Sequence, residues 1–324
     1  MIDGKTKRVL VTGAGGYLGG RIGPRLSELG AIVRRWSRDA SRLAPWSGPN
    51  SVEDISGDLH DPVAWDRALD AVDVVFHLAA QTSAYRASED PAEDLASNVG
   101  SVVALLESCR RHGGRPAIVF ASTATVIGLT YGKEMIDESV LERPVTVYDL
   151  HKWVAEQYLF TYSRLGIARA TALRLANVYG PGPTSASADR GVLNRMVRKA
   201  LSGEPLTIYG TGEQVRDYVY IDDVVRAFVA AANGIDGLDG RPALIGSGTG
   251  CTIAGMVRLV AARVTAQTGR TVEVRHVEPP PDLLPIEQRS FIADCRRFAA
   301  ATGWRAEVSL EDGIDRTIAA AATM

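Results

Sequence analysis

The chain has 324 residues, of which 46% are hydrophobic and 23% are charged, a composition typical of globular proteins. Its length exceeds that of one ordinary domain, so a large domain and a smaller one are expected. The net charge of −2 gives no electrostatic reason to expect nucleic acid or an anionic membrane as a partner.

The chain carries no pattern of a membrane segment or a metal site. No apolar run approaches the roughly 20 residues that span a bilayer, and residues 1–5 lack the apolar core of a signal peptide. The three cysteines, Cys109, Cys251 and Cys295, are scattered, and the five histidines lack metal-ligand spacing. These patterns predict a cytoplasmic protein with reduced thiols and no metal.

Short apolar runs alternate with helical patterns through the first half of the chain, which predicts βαβ units and a parallel sheet. The predicted strands cover residues 8–12, 31–36, 52–57, 72–78, 116–121 and 168–174. The predicted helices cover residues 20–29, 62–69, 98–112 and 147–165. Six such strands predict a doubly wound sheet that binds its ligand at the carboxyl ends of the strands.

The character of the chain changes after Gly180-Pro181-Gly182-Pro183, where a polar loop precedes a predicted helix over 191–202 and a strand near 206–209. The main boundary is therefore placed near residue 177. Residues 1–176 and about 218–248 are predicted to form a dinucleotide-binding Rossmann domain. Residues 177–217 and about 249–324 are predicted to form a smaller C-terminal α/β substrate domain.

A glycine-rich turn over residues 13–19 follows the first predicted strand and opens the first helix. Gly13 permits a tight turn, Gly16 a close approach of the backbone to a pyrophosphate, and Gly19 close packing of helix on strand. The helix N-terminus adds amide donors and a positive dipole end. A glycine-rich loop without a ligand is the alternative, and the strand before and helix after favour a dinucleotide site.

The residues after the second strand bear on the choice of cofactor. An acid there accepts hydrogen bonds from the ribose hydroxyls of NAD, whereas an arginine accommodates the 2′-phosphate of NADP. Ser37 stands where the acid is expected and Arg38 follows it, which favours NADP(H). Asp39 is the rival, because a shift of one or two residues would place it on the ribose, so NAD(H) stays open. For Arg34 and Arg35, which precede Ser37, the alternative to a role near the cofactor is that they lie on a solvated strand edge.

Tyr148 and Lys152 form a Tyr-x-x-x-Lys pair in the fourth predicted helix. This spacing places the two side chains on one face of the helix, one turn apart. There a lysine ammonium holds a phenol below its free pKa of about 10 and prepares it for proton transfer near neutrality. The pair indicates a functional site chiefly because the glycine turn precedes it in the same chain.

In their order along the chain, these residues resemble the extended short-chain dehydrogenase/reductases, and within them the nucleotide-sugar epimerase/dehydratase group. The likeness covers nearly the whole chain. Further matching stretches are Gly57-Asp58-Leu59, His77-Leu78-Ala79-Ala80, Asn98-Val99 and residues 120–126, 174–181, 209–218 and 221–224. The resemblance implies an NAD(P)-dependent oxidoreductase or epimerase that acts on a nucleotide-diphosphate sugar. It also implies a homodimer.

The resemblance assigns three catalytic residues. Thr123 would hydrogen-bond the carbinol oxygen, Tyr148 would exchange its proton, and Lys152 would lower the pKa of Tyr148 and grip the nicotinamide ribose. The implied cofactor contacts are Gly13, Gly16, Tyr17, Leu18, Gly19, Ser37, Arg38, Asp58, Leu59, Leu78, Ala79, Ala80, Asn98, Tyr148 and Lys152. The implied substrate contacts are Gln81, Thr123, Thr125, Asn177, Arg216 and Arg289, of which the arginines suit a diphosphate.

The chain also departs from several members of the family. The 4,6-dehydratases follow the catalytic threonine with Asp-Glu, whereas Ala124-Thr125 follow Thr123 here. The 3,5-epimerase/reductases carry a cysteine near this strand and a histidine downstream. Here no cysteine follows Thr123 in this strand, and no histidine lies between residues 152 and 275. Hydride transfer without elimination or α-proton abstraction is therefore predicted. A loop arginine of the family is replaced by a stretch that begins with three prolines, 279–281.

The sequence leaves four functions open. An NADP(H)-dependent reductase of a 4-keto-6-deoxy nucleotide sugar is favoured by Arg38 and by resemblance at residues 190–192, 302–304 and 312–317. The alternative is an NAD-dependent nucleotide-sugar 4-epimerase, which residues 124–126 resemble. A reductase of a non-sugar ketone and a non-catalytic cofactor sensor are less favoured. For the dimer, Ala104, Leu105, Leu106, Val154 and Leu159 either supply apolar surface or face the sheet.

Overall fold

The computed structural model describes residues 7–132, 134–182 and 191–322. Arg190, one of the residues that resemble the ketoreductases, lies outside the described residues. No helix in these three segments is long and apolar enough to cross a membrane.

Twelve strands are present in the described residues: β1 (Arg8–Thr12), β2 (Ile32–Ser37), β3 (Val52–Ser56), β4 (Val74–His77), β5 (Ala117–Thr123), β6 (Arg169–Leu175), β7 (Asn177–Tyr179), β8 (Leu206–Tyr209), β9 (Val215–Tyr220), β10 (Arg241–Ile245), β11 (Gly250–Thr252) and β12 (Val274–Val277). Seven of them form one parallel sheet in the order β10-β6-β5-β4-β1-β2-β3. The order reverses between β1 and β4, which is where doubly wound sheets bind ligands. The predicted α/β fold of the Rossmann type is confirmed.

Twelve α-helices accompany the strands in the same segments: α1 (Gly19–Glu28), α2 (Pro62–Ala68), α3 (Ala84–Glu89), α4 (Pro91–Leu95), α5 (Ser101–His112), α6 (Val147–Arg164), α7 (Val192–Leu201), α8 (Ile221–Asn233), α9 (Ile235–Leu238), α10 (Ile253–Thr268), α11 (Arg296–Thr302) and α12 (Leu310–Ala322). A π-helical turn, Ala96–Gly100, joins α4 to α5. The predicted helix over 98–112 is therefore divided by this change of hydrogen bonding. Turns of this kind recur near functional sites.

The large sheet is buried on both faces. Val9 and Val11 of β1 pack in one core together with residues of α1 and α8, whereas Leu10 packs in the opposite core with residues of α2, α5 and α6. All three side chains are fully buried. Strands covered on both faces read as continuous apolar runs, which is why the sequence pattern located β1 so directly.

A smaller α/β lobe contains a three-stranded sheet, β11-β9-β7, and a parallel pair, β12-β8. Its core is built around Tyr179, Val197, Val260 and Ile314. Helices α7, α10 and α12 supply three of these side chains. The division of the chain into two domains at the residues given above remains a prediction.

Three of the residues considered for a dimer surface belong to the interior of the chain. Leu105, Leu106 and Leu159 are fully buried between the sheet and helices α5 and α6. Ala104 and Val154 are partly buried. The homodimer stays a prediction, and these three leucines do not contribute to its surface.

Candidate active site

The glycine turn forms a cradle of backbone between β1 and α1. Gly13 has φ of +64°, in the region that favours glycine, and a Cβ there would lie 2.8 Å from the nitrogen of Ala79. A Cβ on Gly19 would collide with the carbonyl oxygen of Gly13. The absence of side chains leaves the backbone at the start of α1 able to approach a pyrophosphate, so the turn fits a dinucleotide.

Tyr17 directs its ring away from this backbone, toward the smaller lobe. Its hydroxyl donates to the carbonyl of Gly180 at 2.8 Å and accepts from Nδ2 of Asn194 at 3.2 Å. Burial raises the pKa of Tyr17 to about 12, which keeps the phenol protonated as a donor. Leu18 packs against both the sheet core and the core of the smaller lobe. The cofactor contacts predicted for these two residues would thus come from their backbone.

The loop after β4, which carries Leu78, Ala79 and Ala80, is fixed by Thr12. The Thr12 hydroxyl accepts from the nitrogens of Leu78 at 3.1 Å and Ala79 at 3.2 Å, and it bonds Nδ1 of His77 at 3.0 Å. Burial, followed by the charge of Lys152, lowers the pKa of His77 to about 3. The imidazole is therefore neutral and supports the loop beside the glycine turn.

The end of β2 places Ser37 at the last strand position and leaves Arg38 exposed. Asp39 caps a short 3₁₀ helix, since its carboxylate accepts from the nitrogen of Ser41 at 3.0 Å. Arg34 and Arg35 are both buried. They pair with Glu53 at 2.7 Å and Asp54 at 2.6 Å on the neighbouring strand. The solvated strand edge considered for these two arginines is therefore wrong, because each is held by a carboxylate of β3.

Asp58 and Leu59, the predicted adenine contacts, follow β3 at the same edge of the sheet. Asp58 is exposed, and its carboxylate accepts from the backbone nitrogen of His60 at 2.9 Å. That hydrogen bond lowers the pKa of Asp58. Leu59 is partly buried against the core that contains Trp36 and Trp65. The adenine roles of both residues stay predictions.

Asn98 and Gln81 belong to a buried polar cluster around Asp94. Nδ2 of Asn98 donates to the Gln81 carbonyl at 3.0 Å and to Asp94 Oδ1 at 2.9 Å. Oδ1 of Asn98 is buried and has no hydrogen-bond partner in the described part of the chain. An acceptor in this state fits a ribose hydroxyl. The Gln81 amide donates to Asp94 at 2.7 Å and accepts from Ser83 at 2.6 Å, so its predicted sugar contact would compete with these bonds.

Thr123 lies in β5, and Tyr148 and Lys152 lie in α6, which packs against β5. Thr123 is the last residue of β5. The hydroxyl of Thr146 caps α6 and so places Tyr148 in the first turn of that helix. Nζ of Lys152, one turn further on, lies 3.9 Å from the centroid of the Phe120 ring in β5. The trio is thus assembled by one strand end and one helix start.

Lys152 is only 2% exposed. Burial lowers the pKa of its ammonium to about 7, while Glu156 and Asp94 oppose this shift. The aromatic face of Phe120 also favours the cation. The side chain can therefore change charge near neutral pH, and while charged it favours the phenolate of a neighbouring tyrosine.

Asp149, which no sequence pattern indicated as a site residue, places a buried carboxylate near Thr123 through a contact with Thr125. Thr125 Oγ1 donates to Asp149 Oδ1 and lies 2.7 Å from Thr123 Oγ1. Asp149 is 1% exposed, and burial raises its pKa. The sequence pattern around Asp149, Thr146-x-x-Asp149 at the start of a helix, is typical of a helix N-cap. The pattern accounts for the bond from Asp149 N to Thr146 at 3.1 Å but not for the contact with Thr125.

Arg216 and Arg289, predicted to bind phosphates, lie together in the smaller lobe. Arg216 is 3% exposed, and Nη2 lies 3.5 Å from the carboxylate of Glu287. Nη1 of Arg289 lies 3.9 Å from the same carboxylate. Burial, then the charge of Arg216, lowers the pKa of Arg289 to about 10. Asn177 is partly buried at the start of β7. Two neighbouring guanidinium groups with one carboxylate suit an anion.

Comparison with known proteins places this geometry in a family. The model of the NAD dependent epimerase/dehydratase family matches residues 9–246. UDP-glucose 4-epimerase from Mycolicibacterium smegmatis is 30% identical over 96% of this chain and 97% of that protein. Two solved structures are similar over 97–98% of this chain and 99% of theirs. UDP-glucose 4-epimerase from Thermotoga maritima, with UDP-glucose, has 29% identity and a TM-score of 0.85. UDP-glucose 4-epimerase from Thermus thermophilus, in complex with NAD, has 31% identity and a TM-score of 0.84.

The family match covers the glycine turn, Thr123, Tyr148 and Lys152 together. The chain therefore belongs to the NAD dependent epimerase/dehydratase family, whose members are enzymes of the extended short-chain dehydrogenase/reductase type.

Proposed function

We propose that this protein is an NAD-dependent nucleotide-sugar 4-epimerase, which inverts one carbinol carbon by oxidising and then re-reducing it. The observation that carries the proposal is the placement of Thr123 at the end of β5 and of Tyr148 and Lys152 in α6, which packs against β5. The similarity to UDP-glucose 4-epimerases over nearly the whole chain supports the epimerase over the reductase that Arg38 favours. Both reactions use the same proton path.

In this proposal the residues of the chain act on the hydroxyl proton and the oxygen of the reacting sugar carbon. A bound nicotinamide would supply the acceptor and donor of hydride at the sugar carbon. Tyr148 would remove the hydroxyl proton during oxidation and return it during reduction, while Thr123 hydrogen-bonds the same oxygen. The ammonium of Lys152 would keep the phenol of Tyr148 acidic enough for both steps. Ala124 and Thr125 after Thr123 offer no acid-base pair for expelling water.

The substrate class is inferred from the smaller lobe. Arg216 and Arg289 are adjacent, largely buried cations, and a nucleoside diphosphate would accept hydrogen bonds from both forks. Asn177, at the start of β7, pairs in register with Tyr218 of β9, which lies two residues after Arg216 in the same strand. These features support a nucleotide-diphosphate sugar as the ligand.

The second candidate is the NADP(H)-dependent reductase of a 4-keto-6-deoxy nucleotide sugar. The exposed Arg38 directly after β2 favours it, because an arginine at this point of the fold can accommodate the 2′-phosphate of NADP. Asp39, the rival residue for the ribose of NAD, already accepts a hydrogen bond in its capping position. The cofactor that the protein retains distinguishes the two candidates.

The test is to denature the purified protein and identify the released dinucleotide, then to assay UDP-glucose, UDP-galactose and a 4-keto-6-deoxy nucleotide sugar. The epimerase should release NAD and interconvert the two UDP-sugars without net change in nicotinamide absorbance. A Tyr148→Phe control should lose at least about a hundredfold in turnover. Stoichiometric consumption of NADPH with the keto sugar, and no interconversion, would instead identify the reductase.

A further inference from the structure

A chain of three side chains leads from the proposed reaction centre to a buried carboxylate. Oγ1 of Thr123 lies 2.7 Å from Oγ1 of Thr125, and the backbone nitrogen of Thr125 also donates to Thr123 Oγ1 at 3.2 Å. Oγ1 of Thr125 in turn donates to Oδ1 of Asp149. The second carboxylate oxygen, Oδ2, is buried without a hydrogen-bond partner among the residues that the structure describes.

The number of protons fixes the direction of these hydrogen bonds. An ionised carboxylate accepts only, so Thr125 must give its single hydroxyl proton to Asp149. Thr125 then has only lone pairs to offer Thr123, which must donate its own proton to Thr125. The remaining lone pair of Thr123 can accept from a third group. With Asp149 ionised, Thr123 is therefore matched to a substrate hydroxyl.

Protonation of Asp149 at Oδ1 reverses the chain. The carboxylic acid donates to Thr125, Thr125 donates to Thr123, and the proton of Thr123 is released to point at a third group. In this state Thr123 can donate to the sugar oxygen at both oxidation levels, and the single hydroxyl proton of the alcohol stays directed at Tyr148. In the ionised state Thr123 and Tyr148 compete for that one proton, so the protonated state is the one that fits the proposed reaction.

The groups around Asp149 act on its pKa in opposite directions. Burial raises its pKa, whereas hydrogen bonds from Thr125 and Thr146 lower it. Two charged groups act on it from the segment Pro285–Gln288 and the residue after it: Arg289 stabilises the anion, and Glu287 opposes it. Tyr148 precedes Asp149 directly in α6.

We propose that Asp149 is a positioning residue that sets, through Thr125, whether the Thr123 hydroxyl accepts from or donates to the substrate oxygen. This inference rests on the proposed function, because it assigns the third group at Thr123 to the oxygen of the reacting sugar carbon. Asp149 touches neither that oxygen nor the cofactor in this role; it acts through two hydroxyls.

The first test is a comparison of pH profiles of kcat/KM for the wild type, Asp149→Asn, Thr125→Val and Thr125→Ser. For oxidation of the sugar hydroxyl, the wild type should lose activity as Asp149 ionises, at a pH above the usual carboxyl range near ~4, because Thr123 then competes with Tyr148 for the hydroxyl proton. Asp149→Asn and Thr125→Val should lose this limb and should exceed the wild type about tenfold in kcat/KM above it. Thr125→Ser retains a hydroxyl and should retain the limb.

An infrared titration of the unliganded protein provides a readout that needs no substrate. A protonated-carboxyl band that disappears on raising the pH should be missing in Asp149→Asn. Its midpoint should move in Thr125→Val and stay in place in Thr125→Ser. Thermal unfolding of each variant verifies that the comparison is made between folded proteins.

The outcomes separate the inference from the proposed function. A fall of activity with pH that persists with the same midpoint in both Asp149→Asn and Thr125→Val would overturn the inference, as would the lack of a titrating band assigned to Asp149. A wild type that is inactive on all nucleotide sugars would refute the proposed function. In that case the infrared midpoints still decide whether Asp149 and Thr125 share a proton.

Discussion

At the scale of single residues, the charge of Lys152 connects folding with chemistry. The side chain is enclosed by Phe120 and lies near the carboxylates of Glu156 and Asp94. Burial disfavours its charge and brings its pKa down from 10.5 to about 7. Burying a charged ammonium costs free energy, so a buried lysine with a shifted pKa is expected where its charge acts on a neighbouring group. In the proposed mechanism that group is the phenol of Tyr148.

The lowered pKa of Lys152 predicts a pH dependence of stability. Between about pH 7 and 10.5 the unfolded chain binds a proton at this lysine that the folded chain does not hold. The unfolding free energy of the wild type, relative to Lys152→Met, should therefore rise with pH in this window, by at most about 1.4 kcal/mol per pH unit. Urea unfolding of both proteins at several pH values measures the slope.

Lys199→Met provides the control, because Lys199 lies on the surface of α7. Its difference from the wild type should show no comparable rise. A difference between wild type and Lys152→Met that stays flat or falls from pH 7 upward would contradict the lowered pKa of Lys152.

At the scale of elements, α6 is fastened to the sheet by a buried ion pair. Glu156 and Arg174 are both fully buried, and their side chains approach to 2.6 Å between α6 and β6. Glu156 also accepts from Ser122, the residue before Thr123 in β5. This pair therefore fixes the helix that carries Tyr148 and Lys152 against the strand that carries Thr123.

Loss of one partner of this pair should be costly. Glu156→Gln leaves the buried Arg174 with Glu142 as its remaining carboxylate partner, so the unfolding free energy should fall by up to about 3 kcal/mol. Urea unfolding monitored by circular dichroism gives the value. Glu28→Gln breaks the exposed pair with Arg25 and should change stability by less than about 0.5 kcal/mol. Similar losses in the two variants would show that the buried pair has no special weight.

The same elements show how far sequence patterns reach. The apolar run of β1, the glycine turn and the helical pattern over 147–165 are local signals, so they predicted the sheet and the helix that carries Tyr148. β10 was not predicted as a strand, because Pro242 is typical of irregular chain; it is tolerated here at the edge of the sheet. The contact of Asp149 with Thr125 and the pairs of Arg34 and Arg35 depend on tertiary packing, which no local pattern encodes.

At the scale of the whole molecule, the two lobes are joined beside the glycine turn. Tyr17 donates to the carbonyl of Gly180, and Arg21 of α1 donates to the carbonyl of Pro181 at 3.1 Å. Arg21 also pairs with Asp222 at 3.0 Å. The first helix of the dinucleotide cradle is thus connected to the segment that leads into the smaller lobe, so the two lobes should unfold together.

Tyr17→Phe tests this connection. The change removes the hydroxyl that bridges Gly180 and Asn194, and the unfolding free energy should fall by about 1 kcal/mol. The denaturant dependence should be unchanged if both lobes still unfold in one transition. Tyr209→Phe is the control, since that side chain is 48% exposed and should change stability by less than about 0.5 kcal/mol. Two separate transitions in the wild type would refute joint unfolding.

The carboxylate of Glu287 lies near both Arg216 and Arg289 and serves as their counter-ion within the protein itself. Under the proposed function, a diphosphate that enters there would exchange one anion for another instead of neutralising bare charge. Its affinity would then be the difference between two sets of ion pairs, because part of the attraction of the two arginines is already used before any ligand arrives. A singly charged anion would gain little by displacing the carboxylate, whereas a diphosphate would interact with both guanidinium groups.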